Sequence, residues 1–267
     1  MIAPAPAKIN LALVVGPLRA DGKHELVTVY QRVDVCDRVS VVPAAHTTVE
    51  GFDGDTIVRE ALRALGGPGG WRARIEKRIP VAAGLGGGSS DAATALRLAN
   101  AQLPEPLPAE RLHELAAGLG ADVPFFLVDG PQLGTGDGTA LEPLELPQSF
   151  VVLLLLPRGA RKPSTAEIYS AFDRRGGAAG FEDRARALRD GLAAVRRPRD
   201  LARLPSNDLA SSPHAAALLA EGAFRADVSG AGPTLYGLFE SRAEAARAAR
   251  RLGRLGRVWI AFPAWYG

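Results

Sequence analysis

The most informative stretch of this chain reads Pro80-Val81-Ala82-Ala83-Gly84-Leu85-Gly86-Gly87-Gly88-Ser89-Ser90-Asp91-Ala92-Ala93. Its glycine cluster leads through two serines into an Ala/Leu-rich segment, residues 90–101, whose composition predicts a helix. Glycine lets a loop turn tightly and bring backbone N–H groups close to a ligand. The N-terminus of a helix adds a partial positive charge. The stretch therefore predicts an anion-binding site, and its serine hydroxyls can bind phosphate or metal-bound water.

Three common catalytic and phosphate-binding motifs do not fit this loop. The dinucleotide fingerprint G-x-G-x-x-G fails because the sixth residue from Gly84 is Ser89. The G-x-x-x-x-G-K-[ST] motif fails because the Gly22-Lys23 pair is followed by His24, and the nucleophile elbow G-x-S-x-G is missing from the sequence. The stretch, residues 80–90, is therefore a glycine loop that belongs to none of these three motifs. A flexible turn is the alternative, and it is disfavoured because the loop runs directly into a helix.

Hydrophobic periodicity predicts a mixed α+β fold. Valines at odd positions from 27 to 41 indicate one bent strand or two consecutive strands with one buried face, residues 7–15 and 71–79 read as strands, and residues 55–65 and 108–119 as helices. A loop or tight hairpin at 130–138 precedes the apolar strand 150–156, which opens a second unit. That unit has helices near 163–173, 181–196 and 213–221, strands at 224–229, 233–239 and 256–262, and a helix that begins with a Ser241–Glu244 capping box. We predict two domains, residues 1–147 and 148–267, the second an α/β sandwich with an antiparallel sheet.

Candidate site residues also lie outside the glycine loop. Lys8 and Asn10 are two residues apart in a predicted strand, so both point to one face and could converge on an anionic substrate. Asp122 follows a predicted helix end and precedes an apolar segment that is expected to be a strand. Taken alone, the first pair fits an exposed strand face better than a substrate site, and Asp122 fits a turn or cap residue better than a catalytic one.

Composition excludes several classes of protein. The chain has 267 residues, is 47% hydrophobic and carries a net charge of +3, which are the values of a globular protein. Its single cysteine, Cys36, excludes a disulfide scaffold. The longest apolar run, residues 150–156, is far shorter than the roughly 20 residues of a membrane span. The first residues do not resemble a signal peptide, so we expect a cytoplasmic protein without membrane partners.

Taken together, the motifs resemble those of the GHMP superfamily of small-metabolite kinases. The order is Lys8-x-Asn10, the glycine loop, Gly-Ala-Asp122-Val-Pro and Ser229-Gly-Ala-Gly-Pro233, and the resemblance covers residues 5–239. The segments Asp21-Gly-Lys-His24, Gly120-Ala-Asp-Val-Pro124 and Asn207-Asp-Leu209 narrow it to members that act on 4-diphosphocytidyl-2-C-methyl-D-erythritol. The resemblance implies a two-domain fold with a ribosomal-protein-like N-terminal domain and the active site in the cleft between the domains. It also implies transfer of the ATP γ-phosphate to the substrate's 2-hydroxyl in the non-mevalonate isoprenoid pathway.

The resemblance also assigns residue roles. It implies that Lys8 and Asp122 are the catalytic pair and that Thr56 lies at the adenine pocket. The implied ATP phosphate loop is Pro80, Val81, Ala82, Ala83, Gly84, Leu85, Gly86, Gly87, Gly88, Ser89 and Ser90. The implied substrate pocket contains Asn10, Lys23, His24, Thr165, Tyr169, Gly230 and Gly232. Mg²⁺ is expected with ATP, with Ser89, Ser90 or a shell of water alone as its ligands.

Two positions depart from the family pattern, and two alternatives remain open. Lys23 stands where the family usually has an aromatic ring that stacks on cytosine, and Thr56 stands where the adenine pocket usually has asparagine. A homoserine or mevalonate-type kinase of the same superfamily is one alternative. An RNA-binding protein is the other, although the basic residues are dispersed. We expect a monomer or a weak homodimer that does not bind nucleic acid.

Overall fold

The first half of the chain forms a six-stranded sheet with helices on one side. The computed structural model describes residues 1–55, 57–67, 69–160 and 164–264. The strands are β1 (Ile2–Leu18), β2 (His24–Ala44), β3 (Thr48–Glu50), β4 (Gly70–Glu76), β5 (Gln132–Gly136) and β6 (Ala140–Pro143). The helices are α1 (Ile57–Leu65), α2 (Gly87–Asn100), α3 (Ala109–Leu119) and a short 3₁₀ helix, Pro124–Leu127. The sheet order is β3-β4-β2-β5-β6, with β1 paired to β2.

The second half forms a four-stranded antiparallel sheet in the order β10-β7-β9-β8, which confirms the predicted antiparallel sandwich. Its strands are β7 (Val151–Pro157), β8 (Arg225–Val228), β9 (Leu235–Phe239) and β10 (Gly256–Ala261). The helices are α4 (Thr165–Arg174), α5 (Phe181–Ala193), α6 (His214–Ala220) and α7 (Arg242–Leu252), with a 3₁₀ helix at Pro198–Arg203. The capping box of Ser241 and Glu244 is present at the start of α7, as predicted. Among the described residues, no helix has the length and apolar character needed to cross a membrane.

The two halves share a hydrophobic core. Side chains of β1 and β2, such as Leu11 and Val29, belong to the same buried cluster as Leu154 and Tyr236 of the second sheet. The hydroxyl of Tyr236 donates a hydrogen bond of 3.0 Å to the backbone oxygen of Leu11. The predicted boundary at 147/148 lies in the connection between β6 and β7.

The odd-valine segment is one long strand, but the prediction of a single buried face is wrong for its first half. Residues 26–33 of β2 are buried on both faces. One face packs toward α2 and the 3₁₀ helix Pro124–Leu127, and the other toward the second sheet. Polar Thr28 is therefore buried between apolar neighbours, and its hydroxyl donates to the oxygen of Ala12 at 2.8 Å.

Two local predictions need correction. Helix α2 begins at Gly87, three residues before the predicted start, so the last residues of the glycine loop are its first turn. The expected strand after Asp122 is the 3₁₀ helix Pro124–Leu127, which proline favours because its fixed φ suits a first helical turn. The hairpin predicted near 130–138 is confirmed, since this segment contains β5 and the chain turns at 137–139 into β6.

Candidate active site

A cleft with a volume of about 690 Å³ runs along the glycine loop. Most of the side chains predicted for the site meet there, although they come from distant parts of the chain. These residues are Lys8, Asn10, Lys23, His24, residues 80–89, Asp122, Thr165, Tyr169 and Gly230. The predicted residues Ser90 and Gly232 lie outside the lining, and Thr56 lies outside the described residues.

Lys8 and Asp122 face each other in the cleft. The Lys8 Nζ lies 3.3 Å from Asp122 Oδ2, and the lysine is only 4% exposed. The same Nζ donates to Asn10 Oδ1 at 2.7 Å, which confirms that both side chains lie on one face of β1. Asn10 is held in turn because its Nδ2 donates to the hydroxyl of Thr28 at 2.8 Å. This chain of contacts holds the lysine ammonium beside a partly exposed carboxylate.

The glycine loop is packed against the turn that joins β8 to β9. Ser229 Oγ donates to the oxygen of Gly84 at 3.0 Å, and the N–H of Thr234 donates to the oxygen of Ala83 at 3.2 Å. Gly84 has a φ of +79°, and a β-carbon there would lie 2.6 Å from the oxygen of Gly232. Any other residue here would strain the backbone and press against the β8–β9 turn. Gly232 lies outside the cleft lining and supports the glycine loop from behind.

The base of the loop is hydrogen-bonded to strand β1. The N–H of Lys8 donates to the oxygen of Leu85 at 2.9 Å. Gly86 then takes a left-handed conformation with a φ of +68° and directly precedes α2. The N–H groups of the first helical turn have no partners within the helix. The loop therefore offers these groups to an anion beside Lys8.

The other end of the cleft carries two aromatic rings. His24 stacks on Tyr169 with ring centroids 4.7 Å apart, and its Nε2 lies 2.8 Å from Asp173 Oδ1. Burial raises the pKa of Tyr169 to about 12, and the charge of Asp122 adds to this shift. The Tyr169 phenol therefore keeps its proton at neutral pH and can donate a hydrogen bond to a ligand.

Lys23 closes this end with an ion pair. Its Nζ lies 2.5 Å from Asp137 Oδ2 and links the β1–β2 hairpin to the β5–β6 hairpin. Burial raises the pKa of Asp137, but hydrogen bonds from Lys23 and Thr139 outweigh it and lower the pKa to about 2. The Lys23–Asp137 ion pair therefore lies at the rim of the cleft, where the family pattern has an aromatic ring.

Several lining residues were missed by sequence reasoning. Tyr30 lies on β2, and its pKa is raised well above the usual value by burial and then by Asp122. Lys77 lies at the loop entrance with Phe52, and its Nζ contacts the carboxylates of both Asp37 and Asp91. The signal for Lys77 was its place just before the glycine loop. Tyr30, by contrast, stands among strand residues and has no local signal.

Comparison with known protein families defines the class of this fold and site. Residues 55–130 match the model of the GHMP kinases N terminal domain, and residues 215–258 match GHMP kinases C terminal. The structure resembles that of Methanococcus jannaschii mevalonate kinase, with a TM-score of 0.77 over 99% of this chain and 98% of that chain, at 13% identity. At that identity the likeness concerns the fold alone. The protein is a phosphotransferase of the GHMP kinase class.

More similar relatives define the family within this class. A 4-diphosphocytidyl-2-C-methyl-D-erythritol kinase of Salinispora tropica is 40% identical, covering 91% of this chain and 84% of that protein. A kinase of the same name from Leifsonia xyli is 37% identical, covering 86% of this chain and 85% of that protein. A crystal structure of a 4-(cytidine 5'-diphospho)-2C-methyl-D-erythritol kinase matches with a TM-score of 0.78 at 35% identity, covering 99% of this chain and 100% of that chain. The chain belongs to the 4-diphosphocytidyl-2-C-methyl-D-erythritol kinases.

Proposed function

We propose that this protein transfers the γ-phosphate of ATP to the 2-hydroxyl of 4-diphosphocytidyl-2-C-methyl-D-erythritol. The observation that carries the proposal is the Lys8–Asp122 contact of 3.3 Å in the cleft that the glycine loop lines. Phosphoryl transfer requires positioning and charge stabilisation more than covalent chemistry from the protein. A carboxylate, an ammonium group and a ring of backbone N–H groups supply both.

In this proposal Asp122 and Lys8 act on the reacting oxygens. Asp122 Oδ accepts a hydrogen bond from the substrate hydroxyl, orients that oxygen toward the γ-phosphorus and takes its proton during transfer. Lys8 stabilises the carboxylate and the negative charge on the transferring oxygens. Asn10 holds the Lys8 ammonium in place through its Oδ1.

The glycine loop binds the β- and γ-phosphates in this proposal. Its backbone N–H groups and the first turn of α2 act as hydrogen-bond donors. A Mg²⁺ ion bound with ATP would neutralise part of the triphosphate charge. The residues present fit such an ion, because Ser89 lines the cleft and one protein oxygen is enough beside phosphate and water ligands. Ser90 is fully buried and fits that role less well.

The cytidyl group binds at the His24–Tyr169 end in this proposal. The Tyr169 ring supplies one apolar face, Thr165 lines the same wall, and Gly230 allows close approach from the second domain. Lys23 can contact the diphosphate or the base by cation–π interaction. The monomeric or weakly dimeric state and the cytoplasmic location stay predictions.

Steady-state ADP release tests this function. Purified protein is assayed with MgATP and the cytidyl substrate, with homoserine and mevalonate as comparison acceptors. Asp122→Asn removes the proton acceptor with little change in shape. Asp190→Asn is the matched control, because Asp190 is exposed on α5, away from the cleft.

We expect ADP release with the cytidyl substrate alone and a fall in kcat of about 10²–10⁴-fold in Asp122→Asn. The control should retain wild-type kcat. Turnover with homoserine or mevalonate in its place would contradict the proposed substrate. A fall of less than about tenfold in Asp122→Asn would contradict the proposed role of this carboxylate.

A further inference from the structure

A second cleft, with a volume of about 770 Å³, lies on the other side of the Lys77–Arg78 segment from the catalytic site. Residues of β1 and β2 of the first sheet and of β10 of the second form its walls, and β10 contacts β2. The N–H of Phe262 donates to Asp34 Oδ1 at 2.8 Å and joins these walls. The lining residues are Ile2, Ala3, Pro4, Asp34, Val35, Cys36, Arg38, Lys77, Arg78, Arg257 and Trp259.

This cleft concentrates positive charge. Arg38, Arg78 and Arg257 line it, and all three are exposed. In the described part of the chain, no carboxylate oxygen lies within 4.0 Å of their side-chain nitrogens. Asp34 is the acidic residue among the described lining positions, and its Oδ1 accepts the Phe262 N–H. Guanidinium groups bind phosphate oxygens through paired N–H donors. The cleft therefore suits an anion with several phosphate oxygens.

The same cleft also offers apolar surface. The guanidinium carbon of Arg257 lies 4.4 Å from the centroid of the Trp259 ring, as expected for alternate residues on one face of β10. Ile2 is 56% exposed, which is high for a large apolar side chain, and Pro4 lies on the same face of β1. A ligand with an apolar group beside its phosphates would cover this surface.

Lys77 connects the second cleft with the catalytic cleft, because it lines both. Its Nζ lies 2.5 Å from Asp37 Oδ2 and 2.8 Å from Asp91 Oδ2, the latter in the second turn of α2. Asp37 Oδ1 also accepts the N–H of Ile79 at 2.8 Å, directly before the glycine loop begins. A ligand against Lys77 and Arg78 therefore contacts the segment that sets the start of the loop.

We propose that the second cleft is a binding site for a diphosphate ester with an apolar substituent, and that its occupancy changes the affinity of the catalytic site for ATP. Arg38, Arg78 and Arg257 bind the diphosphate, and Trp259 with Ile2 covers the apolar group. The coupling passes through Lys77 and its two carboxylate partners. This site is separate from the cleft of the proposed phosphotransfer.

Calorimetric titration of the intact protein tests the site. The probes are inorganic pyrophosphate and hexyl diphosphate, each titrated with the catalytic site saturated by a non-hydrolysable ATP analogue. The test variant is the double substitution Arg38→Ala with Arg257→Ala. The matched control is Arg247→Ala with Arg250→Ala, which removes the same charge from exposed positions on α7.

We expect one hexyl diphosphate to bind with the analogue present, about tenfold more tightly than pyrophosphate. The Arg38/Arg257 double variant should bind it at least about tenfold more weakly, because each guanidinium makes charge-assisted hydrogen bonds. The control pair should bind as the wild type does. The proposed site would be overturned if hexyl diphosphate did not bind with the analogue present, or if both double variants bound it equally weakly.

A second titration tests the coupling. The Kd of the ATP analogue is measured with and without saturating hexyl diphosphate, and we expect a change of threefold or more. The reverse titration must show the same factor, since coupling between two sites is reciprocal. An unchanged Kd would overturn the link through Lys77. Phosphotransfer by the Arg38/Arg257 double variant in the absence of hexyl diphosphate should equal that of the wild type, so a failure of the site is distinguishable from a failure of the proposed function.

Discussion

Replacing Gly84 with alanine perturbs the contact between the glycine loop and the β8–β9 turn. At a φ of +79° the left-handed backbone costs a non-glycine residue about 1 kcal/mol. The new β-carbon would also lie 2.6 Å from the oxygen of Gly232 and 2.7 Å from that of Ser229. A relaxed carbon–oxygen contact is about 3.3 Å, so we expect the loop to move by roughly 0.6–0.7 Å.

Such a shift weakens the hydrogen bond from Ser229 Oγ to Gly84, which contributes about 1 kcal/mol. Together with the backbone term, Gly84→Ala should lower the free energy of unfolding by about 2 kcal/mol. The displaced loop no longer matches the triphosphate, and we expect KM for ATP to rise about tenfold.

Urea denaturation and ADP-release kinetics measure the two effects. Gly66→Ala is the matched control, because Gly66 has a φ of +71° but nothing within 4 Å of the added β-carbon. That control should lose about 1 kcal/mol of stability and keep the wild-type KM. If Gly84→Ala is no less stable than Gly66→Ala and KM changes by less than twofold, the close packing does not constrain the loop.

Three further predictions concern polar contacts around the site. Lys23→Ala should raise the pKa of Asp137 from about 2 toward its ordinary value. The stability that this low pKa provides is present above about pH 4 and is lost as the pH falls toward 2. The variant should therefore lose up to about 1 kcal/mol at pH 7, because Lys23 is 53% exposed, and nothing at pH 2. A carboxyl NMR titration that leaves the pKa of Asp137 unchanged would contradict this. Burial raises the pKa of Asp91 to about 7, with Lys77 opposing the shift, so the native state retains a proton that the unfolded chain releases between about pH 4 and 7. The free energy of unfolding of the wild type should therefore fall across that interval. Urea denaturation at pH 5 and pH 8 should show a smaller fall in Asp91→Asn. An equal fall in both proteins would show that Asp91 is not responsible. Asn207→Ala removes the donors to the backbone oxygens of Val228 and Gly230, at 2.9 and 2.6 Å. It should lower the free energy of unfolding by about 2 kcal/mol and raise KM for the cytidyl substrate, whereas an unchanged KM would show that the turn keeps its shape without these bonds.

Much of the fold was predictable because its signals are local. Alternating valines identified β2, the serine–glutamate spacing identified the start of α7, and the apolar run identified β7. The wrong predictions concern segments whose structure depends on contacts with distant parts of the chain. The 3₁₀ helix after Asp122 and the two buried faces of β2 depend on the segments that pack against them. Those segments are distant in the sequence, so a short stretch of residues does not reveal them.

The glycine loop and the shared face of Lys8 and Asn10 followed from the amino-acid sequence alone, because backbone conformation and strand periodicity act over a few residues. The contacts of the site depended on the folded chain. Lys23 reaches Asp137 across 114 positions, and Lys77 reaches Asp37 across 40. Such pairs form where strand register and shared core packing bring two hairpins or a strand and a loop together. The residues around a charged side chain in the sequence do not identify its ion-pair partner, because many carboxylates along the chain could form the same ion pair.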